Sequence, residues 1–192
     1  MSSQVRMLRW PIAAIALLGA LTLPRDCLAD SRIGNLAVFL NDADVTVQGV
    51  VLNALPPPLH ESLHSGIPAH VRFVAELWQQ RFWRDRRIQA RVIERQIRYN
   101  VLTKEYRVVS LEGEQREPFM SKQLRDAQRV LSEFRVAKLA PGAELDPSAL
   151  YYVRTRAAIS LGGVNSWFTR MTGDAEETPW VESSLLTSVR SQ

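Results

Sequence analysis

Cysteine is almost missing from this chain of 192 residues: there is one, Cys27. A lone thiol excludes a disulfide scaffold within the chain and a Cys-based metal cage. Lysine is nearly as scarce, with only Lys104, Lys122 and Lys138, so arginine carries almost all of the positive charge. No Gly-rich phosphate loop, no dinucleotide fingerprint and no Ser, Cys or Asp nucleophile motif occurs, which removes the commonest nucleotide-dependent and covalent chemistries. No internal repeat or low-complexity tract is present. After residue 23 there is no apolar run long enough to cross a bilayer as a helix, which needs about 20 residues. What is present is ordinary globular composition, 46% apolar and 23% charged, enough for one well-filled core.

The first 29 residues read as an export signal. Arg6 and Arg9 form a positive start, residues 10–23 are uncharged and mostly apolar, and Cys27-Leu28-Ala29 places small residues around a cleavage site after Ala29. The apolar run is too short for a comfortable span, and Asp26 before Cys27 argues against a lipoprotein signal. The expectation is a cleaved leader over 1–29 and a single strand-rich periplasmic domain over 30–192, with no transmembrane span after cleavage. Removing Arg6, Arg9, Arg25 and Asp26 leaves 21 basic against 19 acidic residues and no thiol. That near-balance predicts no nucleic-acid partner, because a general phosphate binder keeps a large cationic excess.

Period-two patterning dominates the remainder. Leu36, Val38 and Leu40, a turn at 41–44, then Val45 and Val47 predict a hairpin. The apolar phase shifts after Gly49, which predicts a bulge or strand end there. Pro56-Pro57-Pro58 starts a helix of about two turns carrying Leu59 and Leu63, stopped by Gly66. Residues 69–78 alternate as a half-buried strand. Residues 88–101 form another, with a bulge expected near Val92 and Ile93 where the phase inverts. Turns at Thr103-Lys104 and Glu112-Gly113 continue a meander toward Phe119. Ser121 is a candidate N-cap for a helix over 122–135, built on Leu124, Ala127, Val130, Leu131 and Phe134. Residues 151–161 alternate as a long strand on which Arg154 and Arg156 share a face, placed to pair with carboxylates of a neighbour. A loop over 162–179 and a final strand over 180–189 complete the chain. The predicted fold is mainly β (α+β), an antiparallel sheet or sandwich over one principal amphipathic helix.

Two constellations carry possible chemistry. His60-Glu61-Ser62-Leu63-His64 fits H-E-x-x-H, in which two histidines one helical turn apart hold zinc and the glutamate acts as base. His70 would be the third ligand. Against this, the longer zinc-protease pattern needs glycine where Ile67 stands, and the prolines start the helix at the first ligand, so it has no preceding turn to anchor it. His70 also falls on the face of its strand expected to be less buried, and Leu59 and Leu63 account for the helix without metal. The second constellation is Arg81, Phe82, Trp83, Arg84, Arg86 and Arg87, a hairpin tip able to grip anionic headgroups or an acidic partner. Its plainer expectation is a solvated tip with the aromatics folded under the sheet.

Ser65-Gly66-Ile67-Pro68 leading into a strand, the Phe82-Trp83 hairpin, the segment Tyr99-Asn100-Val101-Leu102-Thr103-Lys104-Glu105-Tyr106-Arg107-Val108 and the stretch from Trp180 to Ser183 resemble an uncharacterised family of exported bacterial proteins, domain of unknown function 4390, over about residues 33–190. The resemblance implies a small envelope protein with no established activity, often encoded beside a membrane sensor kinase of the nitrogen-regulation type. It also implies a first helix without a fixed histidine pair, and no functional residues carry over from it. The expectation is therefore a periplasmic binding or interaction protein. Its expected partner is a sensor-kinase ectodomain or an anionic membrane surface, contacted through the tip residues, with no cofactor. The rivals are a zinc hydrolase with His60, His64 and His70 as ligands and Glu61 as base, and a carrier holding a lipid or small ligand between sheet and helix.

Overall fold

A computed structural model describes residues 30–40, 44–162 and 175–187. The leader, most of the first turn and most of the loop expected over 162–179 lie outside the described residues. The strands are β1 Arg32–Leu40, β2 Asp44–Leu52, β3 Ala69–Gln79, β4 Arg86–Asn100, β5 Glu105–Glu112, β6 Phe119–Ser121, β7 Glu133–Pro141, β8 Leu150–Leu161, β9 Ala175–Glu177, β10 Val181–Glu182 and β11 Leu186–Thr187. Helix α1 is Pro58–His64 and α2 is Leu124–Ser132. Pairing is antiparallel throughout. One sheet has the order β1-β2-β7; the larger has β10-β8-β3-β4-β5-β6, with β9 and β11 also along β8. The fold is thus mainly β and antiparallel, with two α-helices among the described residues.

Alternation explains why the sheets stack. Val45, Val47, Gly49 and Val51 of β2 and Phe134 and Val136 of β7 are buried toward the larger sheet. From that sheet Val71, Phe73, Ala75 and Leu77 of β3, Ile93 and Ile97 of β4, and Val153, Ala157 and Ile159 of β8 face them. The Phe73 and Phe134 rings meet at 5.0 Å between centroids. Leu63 of α1 and Ala127, Val130 and Leu131 of α2 join the same core. Helix α1 ends in a double backbone cap, with Ile67 N–H donating to Ser62 O and Gly66 N–H to Leu63 O. Gly66 takes φ +90°, the left-handed conformation that this cap requires.

Several expectations are corrected. The phase does not shift at Gly49, because positions 45 to 51 keep strict alternation. Gly49 stands on the inward face where a Cβ would meet the Phe134 ring at 2.8 Å, so the ring occupies the place of a side chain. The irregularity lies on the partner strand instead, between Gly34 and Ala37, where Asn35 has φ +52°. Against β3, β4 runs without interruption past Val92 and Ile93, whereas against β5 the register shifts between Glu94 and Arg95, with the extra residue on β5. Val92 lies outward opposite Val74, an apolar cross-strand pair that mimics an inverted phase. The bulge in β4 itself sits nearer the hairpin tip, where Leu77 pairs Gln89 but Trp78 pairs Arg87.

The predicted helix over 122–135 ends at Ser132, and an unforeseen strand, β7, follows directly. The helix starts at Leu124 with Gln123, not Ser121, as its N-cap; Ser121 accepts from the Gln123 amide at 3.0 Å, just ahead of the first turn. At the other end, the inward-facing guanidinium of Arg95 donates to the carbonyls of Val130, at 2.6 Å, and Glu133, while holding the Glu114 carboxylate with two further bonds. Arg95 is 2% exposed. It satisfies a carbonyl that the helix end would leave unpaired, which lets α2 turn into β7 without a glycine. The expected last strand is two short pieces, and β9 falls within the expected loop; all three dress the free edge of β8.

Candidate functional site

β3 is central, flanked on one side by β8 and on the other by β4, so this strand of the hairpin is paired on both sides along its whole length. Gln79 pairs Arg86 as the last rung, and the chain turns over residues 80–85. Asp85 fixes this turn: Oδ1 accepts from the Arg81 amide at 3.0 Å and Oδ2 accepts from the Tyr152 hydroxyl of β8 at 2.8 Å. The amide bond and then the Tyr152 bond hold the Asp85 carboxyl below its usual range. Burial, followed by the neighbouring Asp85, pushes Tyr152 up to about 12, so it remains a donor at any physiological pH. The Gln80 amide donates to Leu150 O at 2.8 Å, tying the turn to the start of β8. The Arg81 guanidinium folds back onto the Gln79 side-chain oxygen.

This scaffold projects Phe82 and Trp83 into solvent, 91% and 92% exposed, in edge-to-face contact at 5.1 Å. The expectation that the aromatics fold under the sheet is overturned. Inward Leu77 is fully buried without them, and Asp85, not a ring, closes the turn. Arg84 and Arg86 are exposed and have no ion-pair partner among the described residues, whereas Arg87 donates to Glu76 at 3.0 Å. The structure thus gathers all six tip residues named from the sequence, in unequal roles.

Below the tip, the outer face of the large sheet carries a polar ladder. Glu76, 6% exposed, accepts from Arg154, Arg87 and the Trp78 indole. Burial raises its pKa, but the bonds from Arg154, Trp78 and Arg87 outweigh it, and the carboxyl titrates below its usual value. Arg154 lies between the rings of Trp78 and Trp180, 4.3 and 4.5 Å from their centroids, and Arg156 stacks on Trp180 at 4.7 Å while pairing with Glu177. Arg154 and Arg156 share a face as their spacing requires. The contributions of Asp85, Tyr152 and Trp180 had no local signal, since each acts across a long sequence separation.

The three histidines are each engaged elsewhere. His60 Nε2 donates to Leu55 O at 3.0 Å, and His64 Nε2 meets the Tyr106 hydroxyl at 2.5 Å. His70 donates from Nδ1 to Glu94 at 3.2 Å and accepts at Nε2 from Gln96 at 3.0 Å. His70 lies outward on β3 but is only 8% exposed, more covered than its face suggested. Among the described residues no group of three or more His, Cys, Asp or Glu side chains is placed to hold a metal ion, and Glu61 is exposed on α1. Two clefts carry charged side chains in a mixed polar and apolar lining. One of about 540 Å³ is lined by Asn35, Gln48, Arg95, Glu114, Arg116 and Arg135 among others, and one of about 440 Å³ by Arg91, Glu112 and Lys138 among others. No helix among the described residues is long and apolar enough to cross a membrane.

No curated protein and no solved structure matches the chain at a significant level. The sequence model of one family, domain of unknown function DUF4390, matches residues 29–177, well over half of the sequence and all of the large sheet up to β9. The chain belongs to the DUF4390 family.

Proposed function

We propose that this chain is an exported cell-envelope protein that acts by binding, with the β3–β4 tip as its docking element. One observation carries the reading: Phe82 and Trp83 stand 91% and 92% exposed on a turn that Asp85, Tyr152 and Leu150 hold in place. Large aromatics are normally covered, and a preorganised exposed pair is what a docking surface needs, because the ordering cost is met before the partner arrives. The surrounding arginines restrict that partner to an acidic surface, either a membrane-sensor ectodomain or an anionic bilayer. Arg6, Arg9, the apolar run at 10–23 and the small residues before position 30 support export to the periplasm with cleavage after Ala29.

The test has two parts. Osmotic-shock fractions should contain the protein with Asp30 at its N-terminus; recovery from the cytoplasm with residue 1 intact overturns the location. A photo-crosslinking residue at position 82 or 83 should capture an envelope component, and reversing Arg81, Arg84, Arg86 and Arg87 to Glu should abolish the capture. Unchanged capture after that reversal, or none from either position, removes the tip from the function.

A further inference from the structure

We propose that the tip is a membrane-interface anchor, which sets the Phe82 and Trp83 rings at the headgroup boundary of an anionic bilayer with Arg84 and Arg86 on lipid phosphates. The proposal rests on the reading of the tip as the docking element and names its partner.

Shape is the first argument. A stable protein interface needs about 800 Å² from each side, centred on a well-packed apolar pocket or patch. The tip is a convex knob of two rings beyond the last rung of β3 and β4, with Leu150, 40% exposed, at its base and Leu185, 50% exposed, next to Leu186, which pairs Tyr151. Such a knob matches a soft medium that closes around it better than a second rigid surface.

Composition is the second. Tryptophan and phenylalanine with adjacent arginines are the residue types that settle at the boundary between water and acyl chains. The third argument is how the charges are used. The one carboxylate of the turn, Asp85, is committed inward to the Arg81 amide and the Tyr152 hydroxyl. Arg81 is held by Gln79 and Arg87 by Glu76, so the charges left facing outward beside the rings are those of Arg84 and Arg86. A neutral bilayer would give these two arginines nothing that water does not. An anionic one gives each about fivefold in affinity, roughly 25-fold for the pair at low salt.

The probes are phosphatidylglycerol and phosphatidylcholine vesicles, with the full chain as its host exports it and variants that share its N-terminus. Binding is followed by sedimentation and by quenching of tryptophan with brominated lipid. The wild type should sediment with phosphatidylglycerol vesicles, less so in high salt, and weakly with phosphatidylcholine. F82S/W83S should lose at least tenfold and R84E/R86E more than 25-fold, with thermal unfolding unchanged. The W83F variant should bind nearly as well while losing the quenching. Equal binding by wild type and F82S/W83S, or equal binding to both lipids, overturns the proposal. Failure on vesicles with capture of a protein from position 82 or 83 overturns it while leaving the docking role intact; failure of both removes both.

Discussion

Replacing Arg95 by methionine tests the account of how α2 is joined to β7. The side chain occupies an inward position of β4 between buried Ile93 and Ile97, under the Phe73 ring, with its guanidinium 5.7 Å from the ring centroid. Methionine matches the apolar stem, so little packing is lost. What disappears is a set of four bonds: two to the carboxylate of Glu114 and two to the carbonyls of Val130 and Glu133. The Val130 carbonyl is buried and costs about 1–3 kcal/mol unpaired. Glu114, with 18% of its side chain exposed, recovers part of its hydration but loses a bidentate partner. Together these place the loss at about 3–5 kcal/mol, the range for removing one member of a buried pair. Urea unfolding should show a lower midpoint at unchanged slope, and the melting temperature should fall by roughly 10 °C for a chain of this size. Arg95→Lys, which keeps the charge but not the fork, should recover only part of it. A loss below about 1 kcal/mol for Arg95→Met would refute the idea that this guanidinium caps the helix end.

Glu76→Gln should destabilise by about 1–2 kcal/mol near neutral pH, discounted because its partners Arg87 and Arg154 are partly solvated. Its folded pKa is depressed, so its contribution is present above the unfolded value of about 4.3 and fades as pH falls through the lower folded value. The two unfolding curves should therefore converge below about pH 4, and a constant gap from pH 7 to pH 3 would contradict the ladder. Gly49→Ala puts a methyl 2.8 Å from the Phe134 ring and should cost about 1–3 kcal/mol by overpacking, whereas the same change at Gly66, where an added Cβ meets nothing, costs only the strain of φ +90°. Chelator treatment should leave the melting temperature unchanged, since His60, His64 and His70 hold protein partners; a drop in melting temperature together with stoichiometric zinc in the untreated protein would return the metal to consideration.

How much was legible followed from where the information lies. β3 and β8 read cleanly because each buries one face along its length and flanking strands keep the period at two. β7 did not. Phe134 satisfies helical spacing from Val130 and Leu131 and is also the first inward residue of the strand, and Lys138 at φ +56° breaks the alternation beyond it. What stops the helix is Arg95, nearly 40 residues upstream in sequence. The candidate site divides in the same way. Its residue types were visible as a cluster at 81–87, but whether two rings lie under a sheet or stand above it depends on the bond between Asp85 and Tyr152, 67 positions apart. The histidines show the converse: a local spacing that suggests metal says nothing of the distant partners they meet, Tyr106 for one and Glu94 for another.

The position of the tip within the sheet bears on what it can do. β4 pairs with β5 only from Glu94 onward, so next to the tip its outer side has no strand partner, and a turn placed there frays unless the other strand is held. Here β3 carries eleven residues paired to β8 on one side and to β4 on the other, and Tyr152 of β8 reaches across to hold the turn itself. Glu76, Trp78, Arg87 and Arg154 then lock the outer face one rung below, with Trp180 stacked over Arg154. Force or thermal motion applied at Phe82 and Trp83 is therefore carried into the central strand and the core beneath it, in place of a loop that yields. The proposed anchor would fix orientation as well as contact, since its exposed rings and arginines lie together at the tip end of β3. The mechanical consequence is specific: Tyr152→Phe, which removes only the hydroxyl that Asp85 accepts, should leave the global fold in place while raising amide exchange at residues 81–85 and weakening binding through the tip. Unchanged exchange there, with binding also unchanged, would mean that the turn holds its shape without β8.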